Sequence, residues 1–263
     1  MKNRIRNIQS VISNLNTINP ITLAKNISGL LWYSRTYKTL KHQRSDDRSF
    51  NLDRIYPVIS DRFETGGTDK GHYFHQDLYV ARMVYESRAK KHIDIGSRVD
   101  GFVAHVAVFR EIEVLDIRPL ESKVHNIKFK QMDCMDLPDN MHDYCDSISS
   151  LHAIEHFGLG RYGDPIDYYG HLKAIRNITS MLKPKGIFYF SVPIGPQRIE
   201  FNAHRVFSMS NLIEILSDNF QIESFSYVDD VGDLYKNVEL STISINNNFG
   251  CKYGCGIFVC IKI

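Results

Sequence analysis

The sequence predicts an α/β fold, a doubly wound and mostly parallel sheet of seven strands that follows an N-terminal helical extension. From residue 92 onward, short apolar segments alternate with amphipathic ones, the order that builds a parallel sheet with helices on both faces. The first two apolar segments each end on an acid, and a glycine follows the first acid closely. The last two segments have no convincing helix between them, so we expect these strands to pair antiparallel at the sheet end.

The strands are predicted from apolar runs between turn residues, and the helices from apolar residues that recur every three or four positions. We place the strands at residues 92–95, 112–116, 127–131, 145–150, 186–192, 220–228 and 256–262. The helices of this region are expected near residues 75–90, 99–109, 152–157, 168–182 and 209–218. The terminal antiparallel pair distinguishes this order from the six-stranded fold that binds dinucleotides.

Residues 1–70 are expected to form a helical extension and linker, and residues 71–263 the main domain. A second helix begins after Asn19, with Pro20 in its first turn, and ends near Leu40. We interpret the extension as a helical lid on the main domain. A second interpretation is that residues 1–42 dock on a protein partner or a membrane surface, with Trp32 as an anchor. The first helix is predicted from four apolar residues at helical spacing, Ile5, Ile8, Ile12 and Leu15.

The composition is typical of one large globular domain with an extension, because the chain has 263 residues, of which 43% are apolar and 24% charged. A net charge of +2 gives no sign of a nucleic-acid-binding surface. Five cysteines without regular spacing argue against a secreted disulfide framework, so we expect a cytoplasmic location. We expect neither a signal peptide nor a membrane-spanning helix, since no apolar run approaches about 18 residues.

Acids and a glycine at the first two strand ends predict a nucleoside site. Gly96 follows the strand that contains Asp94, and a glycine there lets the backbone approach a ligand without a Cβ in the way. The second strand ends at Asp116, whose carboxylate is suited to accept hydrogen bonds from two ribose hydroxyls. Parallel strands bring their carboxyl ends to one edge of the sheet. We therefore predict a nucleoside cofactor at that edge.

Four segments in this order resemble the motifs of class I S-adenosylmethionine-dependent methyltransferases, over residues 75–263. They are DIGS at 94–97, the acid Asp116, QMDC at 131–134 and LKPKG at 182–186. Arg98 and Asp100 depart from that pattern, since they occupy positions where glycines are usual. The resemblance implies S-adenosylmethionine as the cofactor and Asp133 as the acid that meets the adenine amino group. The cofactor-binding residues it implies are Asp94, Gly96, Ser97, Asp116, Ile117, Asp133, Cys134 and Leu151.

A narrower resemblance covers about residues 50–235. The segments HYFHQDL at 72–78, DIGSRVDG at 94–101, EHFGLGRYGD at 155–164 and FNAHR at 201–205 are similar to an uncharacterised family, domain of unknown function 268. That family is described as methyltransferase-like. Bacterial members suggest a sugar, nucleotide sugar or surface-glycan acceptor in polysaccharide biosynthesis. His72, His75 and Asp77 are expected on a segment that closes over the cofactor.

Two histidines are candidates for the general base of such a reaction. His152 follows the fourth strand, where the methyl donor is expected, and His204 follows the fifth strand at the same sheet edge. The unperturbed pKa of histidine lies near neutrality, which suits a base acting on a hydroxyl. The alternative is that His152 caps its strand or hydrogen-bonds the cofactor, and that His204 is a satisfied loop residue. Glu155 and His156 are expected to orient loops beneath the cofactor.

Polar residues after the fourth and fifth strands are candidates for binding the acceptor, namely Arg161, Asp164, Asn202 and Arg205. The alternative is that these residues form an ordinary turn and a surface arginine and bind no acceptor. His152, Glu155 and His156 match the H-x-x-E-H signature of some zinc hydrolases, but this match begins at a strand end rather than within a helix. We predict no metal ligands here, and the alternative is a divalent metal that assists methyl transfer, with Asp164 and Asp167 as oxygen ligands. We interpret Cys251 and Cys255 as buried or turn thiols.

We therefore predict an enzyme that transfers a methyl group from S-adenosylmethionine to a hydroxyl of a small molecule or glycan. A second hypothesis is a catalytically inactive, methyltransferase-like binding or scaffold module, because Arg98 and Asp100 replace glycine-like positions. A third is a nicotinamide-dependent enzyme. The sequence lacks a complete G-x-G-x-x-G motif, and this absence argues against the third hypothesis.

Overall fold

The structure, a computed structural model, describes residues 20–44, 49–52 and 54–263. The chain divides into two compact units, Met1–Thr68 and Asp69–Ile263. The helix predicted from Ile5, Ile8, Ile12 and Leu15, like the cap at Asn19, lies outside the described residues. No helix among the described residues combines the length and apolar composition needed to cross a bilayer.

The first unit contains helix α1, Pro20–Arg44, which extends one turn beyond the predicted end at Leu40. Gly29 of this helix lies against the backbone of Ile59, since a Cβ at Gly29 would come within 2.6 Å of the Ile59 carbonyl oxygen. The Arg62 guanidinium lies over the Trp32 ring, 5.1 Å from its centroid. A single helical turn, Asp61–Phe63, follows this approach.

The second unit is built on a sheet of eight strands, in the order β3-β2-β1-β4-β5-β10-β8-β9. Two further strands, β6 and β7, form a separate antiparallel pair. The bounds are β1 His92–Ile95, β2 Ile112–Asp116, β3 Ile127–Gln131, β4 Cys145–Leu151, β5 Leu182–Ile194, β6 Arg198–Glu200, β7 His204–Val206, β8 Phe220–Val228, β9 Leu234–Tyr235 and β10 Gly254–Lys262.

Helices cover both faces of this sheet. They are α2 His72–Glu86, α3 Ala104–Ala107, α4 Gly170–Met181, α5 Met209–Ser217 and α6 Thr242–Asn246. An irregular turn over Val99–Val103 precedes α3, because Gly101 leaves helical geometry at φ −122° and ψ −108°. The single helical turn Ile154–His156 replaces the helix that we predicted after β4.

The predicted fold class is confirmed, with one difference at the sheet end. Strands β1 to β5 pair in parallel, and β10 is antiparallel to both of its neighbours, β5 and β8. The last two predicted strands therefore do pair antiparallel, but β10 lies inside the sheet rather than at its edge. The edge is formed by β9, a two-residue strand too short to show a period in the sequence.

Two apolar layers enclose the sheet because successive strand residues point to opposite faces. On β10, Ile257 packs with Phe102 and Val80 of one layer, whereas its neighbour Phe258 packs with Phe190 of the other. The strand order reverses between β1 and β4, which makes a crevice at their carboxyl ends. Open α/β sheets bind ligands at such a switch point.

Candidate functional site

A cleft lies at the carboxyl ends of β1, β2 and β4. It contains about 520 Å³ of empty space, part of it open to solvent. Five of the predicted cofactor residues line it, namely Gly96, Asp116, Ile117, Asp133 and Cys134. His152 and Asp164 also line the cleft, so the structure brings these seven predicted residues together.

Gly96 is the point where the β1 turn comes closest to the opposite wall. Its backbone is left-handed, at φ 70°, and a Cβ there would lie 2.9 Å from the Cβ of Ala153. A side chain would be strained in this conformation and would crowd the cleft. The backbone conformation and Ala153 therefore favour a glycine here, and the predicted approach of a ligand stays a prediction.

Asp94 is fully buried and points into the protein. Its Oδ1 accepts hydrogen bonds from Ser97 Oγ and Ser149 Oγ, both at 2.6 Å, and its Oδ2 accepts one from Ser97 N at 3.0 Å. Ser97 Oγ in turn accepts a hydrogen bond from Leu151 N at 3.1 Å. Burial raises the pKa of Asp94 to about 7. Asp94, Ser97 and Leu151 thus tie the β1 turn to β4, and none of them lines the cleft described above.

Asp116 is held by a residue that the sequence analysis did not single out. Arg118 donates from Nε to Asp116 Oδ1 at 3.0 Å and from Nη2 to Oδ2 at 2.6 Å. The Arg118 guanidinium also lies over the Tyr162 ring, 4.4 Å from its centroid. A ligand that binds this carboxylate must therefore displace or share the Arg118 guanidinium.

Asp133 and Cys134 form the turn after β3. Asp133 Oδ1 accepts a hydrogen bond from Met135 N at 2.8 Å, and Asn177 Nδ2 donates to the Cys134 carbonyl at 2.9 Å. Burial raises the pKa of the Cys134 thiol to about 12, so this cysteine is a neutral wall residue. The turn is held by its own residues and by α4, which fixes the position of Asp133 at the cleft.

His152 occupies the tip of β4 in a left-handed backbone conformation, at φ 51°, which is uncommon for a residue with a Cβ. Its side chain is buried, and Nδ1 lies 2.8 Å from Oε1 of the buried Glu155. Burial alone would lower the pKa of His152, but Cys255 and Glu155 beside it raise that pKa well above its usual value. Glu155 Oε1 also lies 3.7 Å from His156 Nε2, so the glutamate stands between the two histidines.

The glycine-rich loop after β4 is held by Asp164. Its Oδ2 accepts hydrogen bonds from Gly158 N at 2.8 Å and Gly160 N at 3.2 Å. The Arg161 guanidinium donates to the Ala203 carbonyl at 3.0 Å, which joins this loop to the turn between β6 and β7. Asp164 therefore shapes one wall of the cleft, whereas Arg161 is exposed and contacts two lining residues, His156 and Tyr162, without lining the cleft itself.

Arg205 is buried, with 4% of its surface exposed. Its Nη1 donates to the carbonyls of Phe157 at 2.6 Å and Glu155 at 3.4 Å, and its Nη2 donates to that of Tyr168 at 3.0 Å. Burial lowers the pKa of Arg205. This guanidinium joins two loops and does not line the cleft, so the structure gives it contacts other than the acceptor-binding role predicted for it.

The remaining predicted residues lie near the cleft without lining it. Asn202 is exposed in the turn between β6 and β7. His204 begins β7, with Nε2 3.3 Å from Glu200 Oε2 and its ring 5.2 Å from the Tyr253 ring. His72 stacks on His152, with ring centroids 5.2 Å apart and an interplanar angle of 6°. The segment predicted to close over the site thus contacts His152 directly.

Comparison with known proteins identifies the family and the fold. No curated protein matches the sequence. The 1,6-didemethyltoxoflavin-N1-methyltransferase of Burkholderia thailandensis, solved with S-adenosylhomocysteine, is 14% identical, with a TM-score of 0.52, and the match covers 89% of this chain and 90% of that chain. The [4+2]-cyclase SpnF is 14% identical, with a TM-score of 0.50, and the match covers 81% and 85% of the two chains.

At these identities the similarities show the fold alone, which is that of class I methyltransferases. One family model matches residues 104–249. That segment is more than half of the 263 residues, and it includes β2 to β9 and most of the residues that line the cleft, although Gly96 precedes it. The chain therefore belongs to the family described as "Caenorhabditis protein of unknown function, DUF268".

Proposed function

We propose that this protein is an S-adenosylmethionine-dependent methyltransferase that acts on a hydroxyl of a sugar, nucleotide sugar or surface-glycan intermediate. The observation that supports the proposal best is the convergence of Gly96, Asp116 and Asp133 on one cleft at the switch point of the sheet. The Burkholderia thailandensis methyltransferase described above, solved with S-adenosylhomocysteine, has the same fold.

The residues of the cleft fit this cofactor. Gly96 leaves space where a Cβ would meet Ala153, and its turn lies beside the ends of β1 and β4. The Asp116 carboxylate, once released from Arg118, is suited to two ribose hydroxyls. Asp133 is suited to the adenine amino group. When bound, S-adenosylmethionine supplies a methyl group for in-line displacement, a reaction that gains mainly from positioning the two reactants.

The acceptor proton needs a base, and His152 and His204 remain the two candidates. His152 lines the cleft, and Glu155 orients its ring. Its raised pKa favours the protonated ring, so His152 must lose a proton before it can act as the base. His204 lies on the neighbouring strand β7, and Tyr253 contacts its ring. Both positions adjoin the carboxyl edge at which the acceptor is expected.

Replacement of Asp116 with alanine is expected to weaken the binding of S-adenosylmethionine and S-adenosylhomocysteine by about 100-fold, measured by calorimetry. Hydrogen bonds to a charged group contribute roughly 1.5–3 kcal/mol each, and about 1.4 kcal/mol corresponds to tenfold in affinity. Asp136→Ala is the matched control, since Asp136 is an exposed acid outside the cleft. Equal cofactor affinity in wild type and Asp116→Ala would contradict the proposed site.

Transfer of a labelled methyl group to a panel of nucleotide sugars tests the acceptor. We expect a product methylated on oxygen, and transfer only to nitrogen acceptors would refute the hydroxyl assignment. The alternative is a catalytically inactive binding module, which the fork of Arg118 on Asp116 favours. Under that alternative, neither S-adenosylmethionine nor S-adenosylhomocysteine binds to the wild-type protein.

A further inference from the structure

Three potential metal ligands from distant parts of the chain meet beside the cleft. They are His72 at the start of α2, His152 at the tip of β4 and Cys255 at the start of β10. One ligand atom of each lies within 4.8 Å of the other two. Cys255 and His152 are buried and His72 is partly buried, so water is largely excluded. All three residues lie in the second unit, Asp69–Ile263.

One atom of this cluster lacks a partner. His152 Nδ1 is engaged by Glu155 at 2.8 Å, whereas the buried Nε2 has no hydrogen-bond partner among the described residues. Cys255 lies beside His152 and helps to raise its pKa, while the Cys255 thiol donates to Gln76 Oε1 at 3.5 Å. Leaving a buried polar atom unpaired costs roughly 1–3 kcal/mol, so Nε2 of His152 calls for a ligand.

The second nitrogens of the histidines are oriented as in known metal sites. Metal-binding histidines commonly donate their other ring N–H to a carboxylate or a backbone carbonyl. Glu155 occupies that position for His152, and the backbone of Tyr253 hydrogen-bonds the ring of His72. The ring of His152 therefore does not depend on the metal for its orientation.

The distances suit a small cation after a modest adjustment. Zinc–nitrogen bonds of about 2.0–2.1 Å and zinc–sulfur bonds of about 2.3 Å place tetrahedral ligand atoms roughly 3.3–3.6 Å apart. The observed limit of 4.8 Å requires a contraction on the order of 1 Å. Rotation of His72, the least buried of the three, can supply it.

We propose that His72, His152 and Cys255 form a Zn²⁺ site with three protein ligands. Thiolate and imidazole favour zinc over magnesium or calcium, which prefer oxygen ligands. Three protein ligands also leave a fourth position open to water or to an acceptor oxygen, as in catalytic zinc sites. Of the H-x-x-E-H segment, only His152 is a ligand in this site. Glu155 is the hydrogen-bond partner of His152.

Zinc binding does not depend on the proposed methyltransferase function. Only the binding of an acceptor oxygen at the fourth coordination position rests on that function. With Nε2 of His152 bound to zinc, the role of general base passes to His204. The Tyr253 ring lies between the zinc ligand His72 and the candidate base His204. Its centroid is 5.5 Å from the His72 ring and 5.2 Å from the His204 ring.

Cobalt titration of the full-length, chelator-treated protein tests the site. We expect one Co²⁺ per chain, with a thiolate-to-cobalt charge-transfer band in the near ultraviolet that Zn²⁺ abolishes by displacement. Cys255→Ser is expected to remove the band. His72→Ala is expected to weaken Co²⁺ binding at least tenfold, within the 10–100-fold range seen even for outer-shell partners. Cys251→Ser is the matched control, as a buried cysteine outside the cluster, and its band should equal that of wild type.

Absence of the band in wild type, or an unchanged band in Cys255→Ser, would overturn the proposal. Circular dichroism of each variant checks the fold, and the partly buried His72 offers a variant that does not remove a core residue. Calorimetry with S-adenosylmethionine on the same samples separates the two proposals. Cofactor binding without cobalt binding refutes the metal site alone, whereas cobalt binding without cofactor binding refutes only the methyltransferase assignment.

Discussion

Replacement of Arg205 with alanine is expected to lower the free energy of unfolding by about 3–5 kcal/mol, because three loop carbonyls lose their donor. The guanidinium donates to the carbonyls of Glu155, Phe157 and Tyr168, and it is almost fully buried. Each carbonyl left unpaired in the interior costs roughly 1–3 kcal/mol, and water entry recovers part of the sum. Chemical denaturation measures the effect.

The free energy of unfolding of Arg205→Lys should lie between those of wild type and Arg205→Ala. The lysine ammonium keeps the charge but lacks the planar set of donors of the guanidinium. Arg176→Ala is the matched control, because Arg176 is exposed on α4 and hydrogen-bonds only the Leu172 carbonyl of its own helix. A loss below about 1 kcal/mol in Arg205→Ala would show that the loops hold without the arginine, since surface substitutions already reach about 0.5 kcal/mol.

Asp94→Ala should lower the free energy of unfolding by a similar amount, about 3–5 kcal/mol, since it removes the acceptor of three buried donors. These are Ser97 N, Ser97 Oγ and Ser149 Oγ. Asp94→Asn keeps an oxygen for the Ser97 amide, and the two hydroxyls can rotate to accept from the new NH₂ group, so most of the stability should remain. Thermal and chemical unfolding at one pH give both values.

The same residue predicts a dependence of stability on pH. The folded pKa of Asp94 is raised to about 7 by burial, against 3.8 for an ordinary aspartate. Between these values the folded protein holds a proton that the unfolded chain has lost, so stability falls as pH rises through this window. Wild type should therefore lose more stability between pH 5 and 8 than Asp94→Asn. Parallel pH profiles for the two proteins would contradict this expectation.

The sheet was largely predictable because its strands are buried and bounded by turn residues. Strands β1, β2, β3 and β8 have the predicted bounds, and β4 differs by one residue. The position of β10 between β5 and β8 was not predictable, since it depends on pairing between segments far apart in the chain. The pair β6–β7 and strand β9 were missed because two or three residues show no measurable period.

Part of the candidate site was predictable from the sequence, and part of it was not. Gly96, Asp116 and His152 were placed at strand ends, and parallel topology brings strand ends together, so they line one cleft. The inward direction of Asp94 depends on Ser149 of the neighbouring strand, which the order of motifs does not reveal. Cys255 is separated from His72 by most of the domain, and its meeting with His152 follows only from the position of β10.

That position of β10 also has a consequence for synthesis of the protein on the ribosome. Residues of β5 and β8 emerge before those of β10, which must lie between them. At translation rates of about 5–20 residues per second, the interval between the end of β5 and the start of β10 lasts on the order of seconds. During that interval β5 presents an unpaired edge, and so does β8 once it has been synthesised. Such edges recruit other chains. Growing chains should therefore depend on protection of these two edges, and slow decoding between β8 and β10 should lower the yield of folded protein.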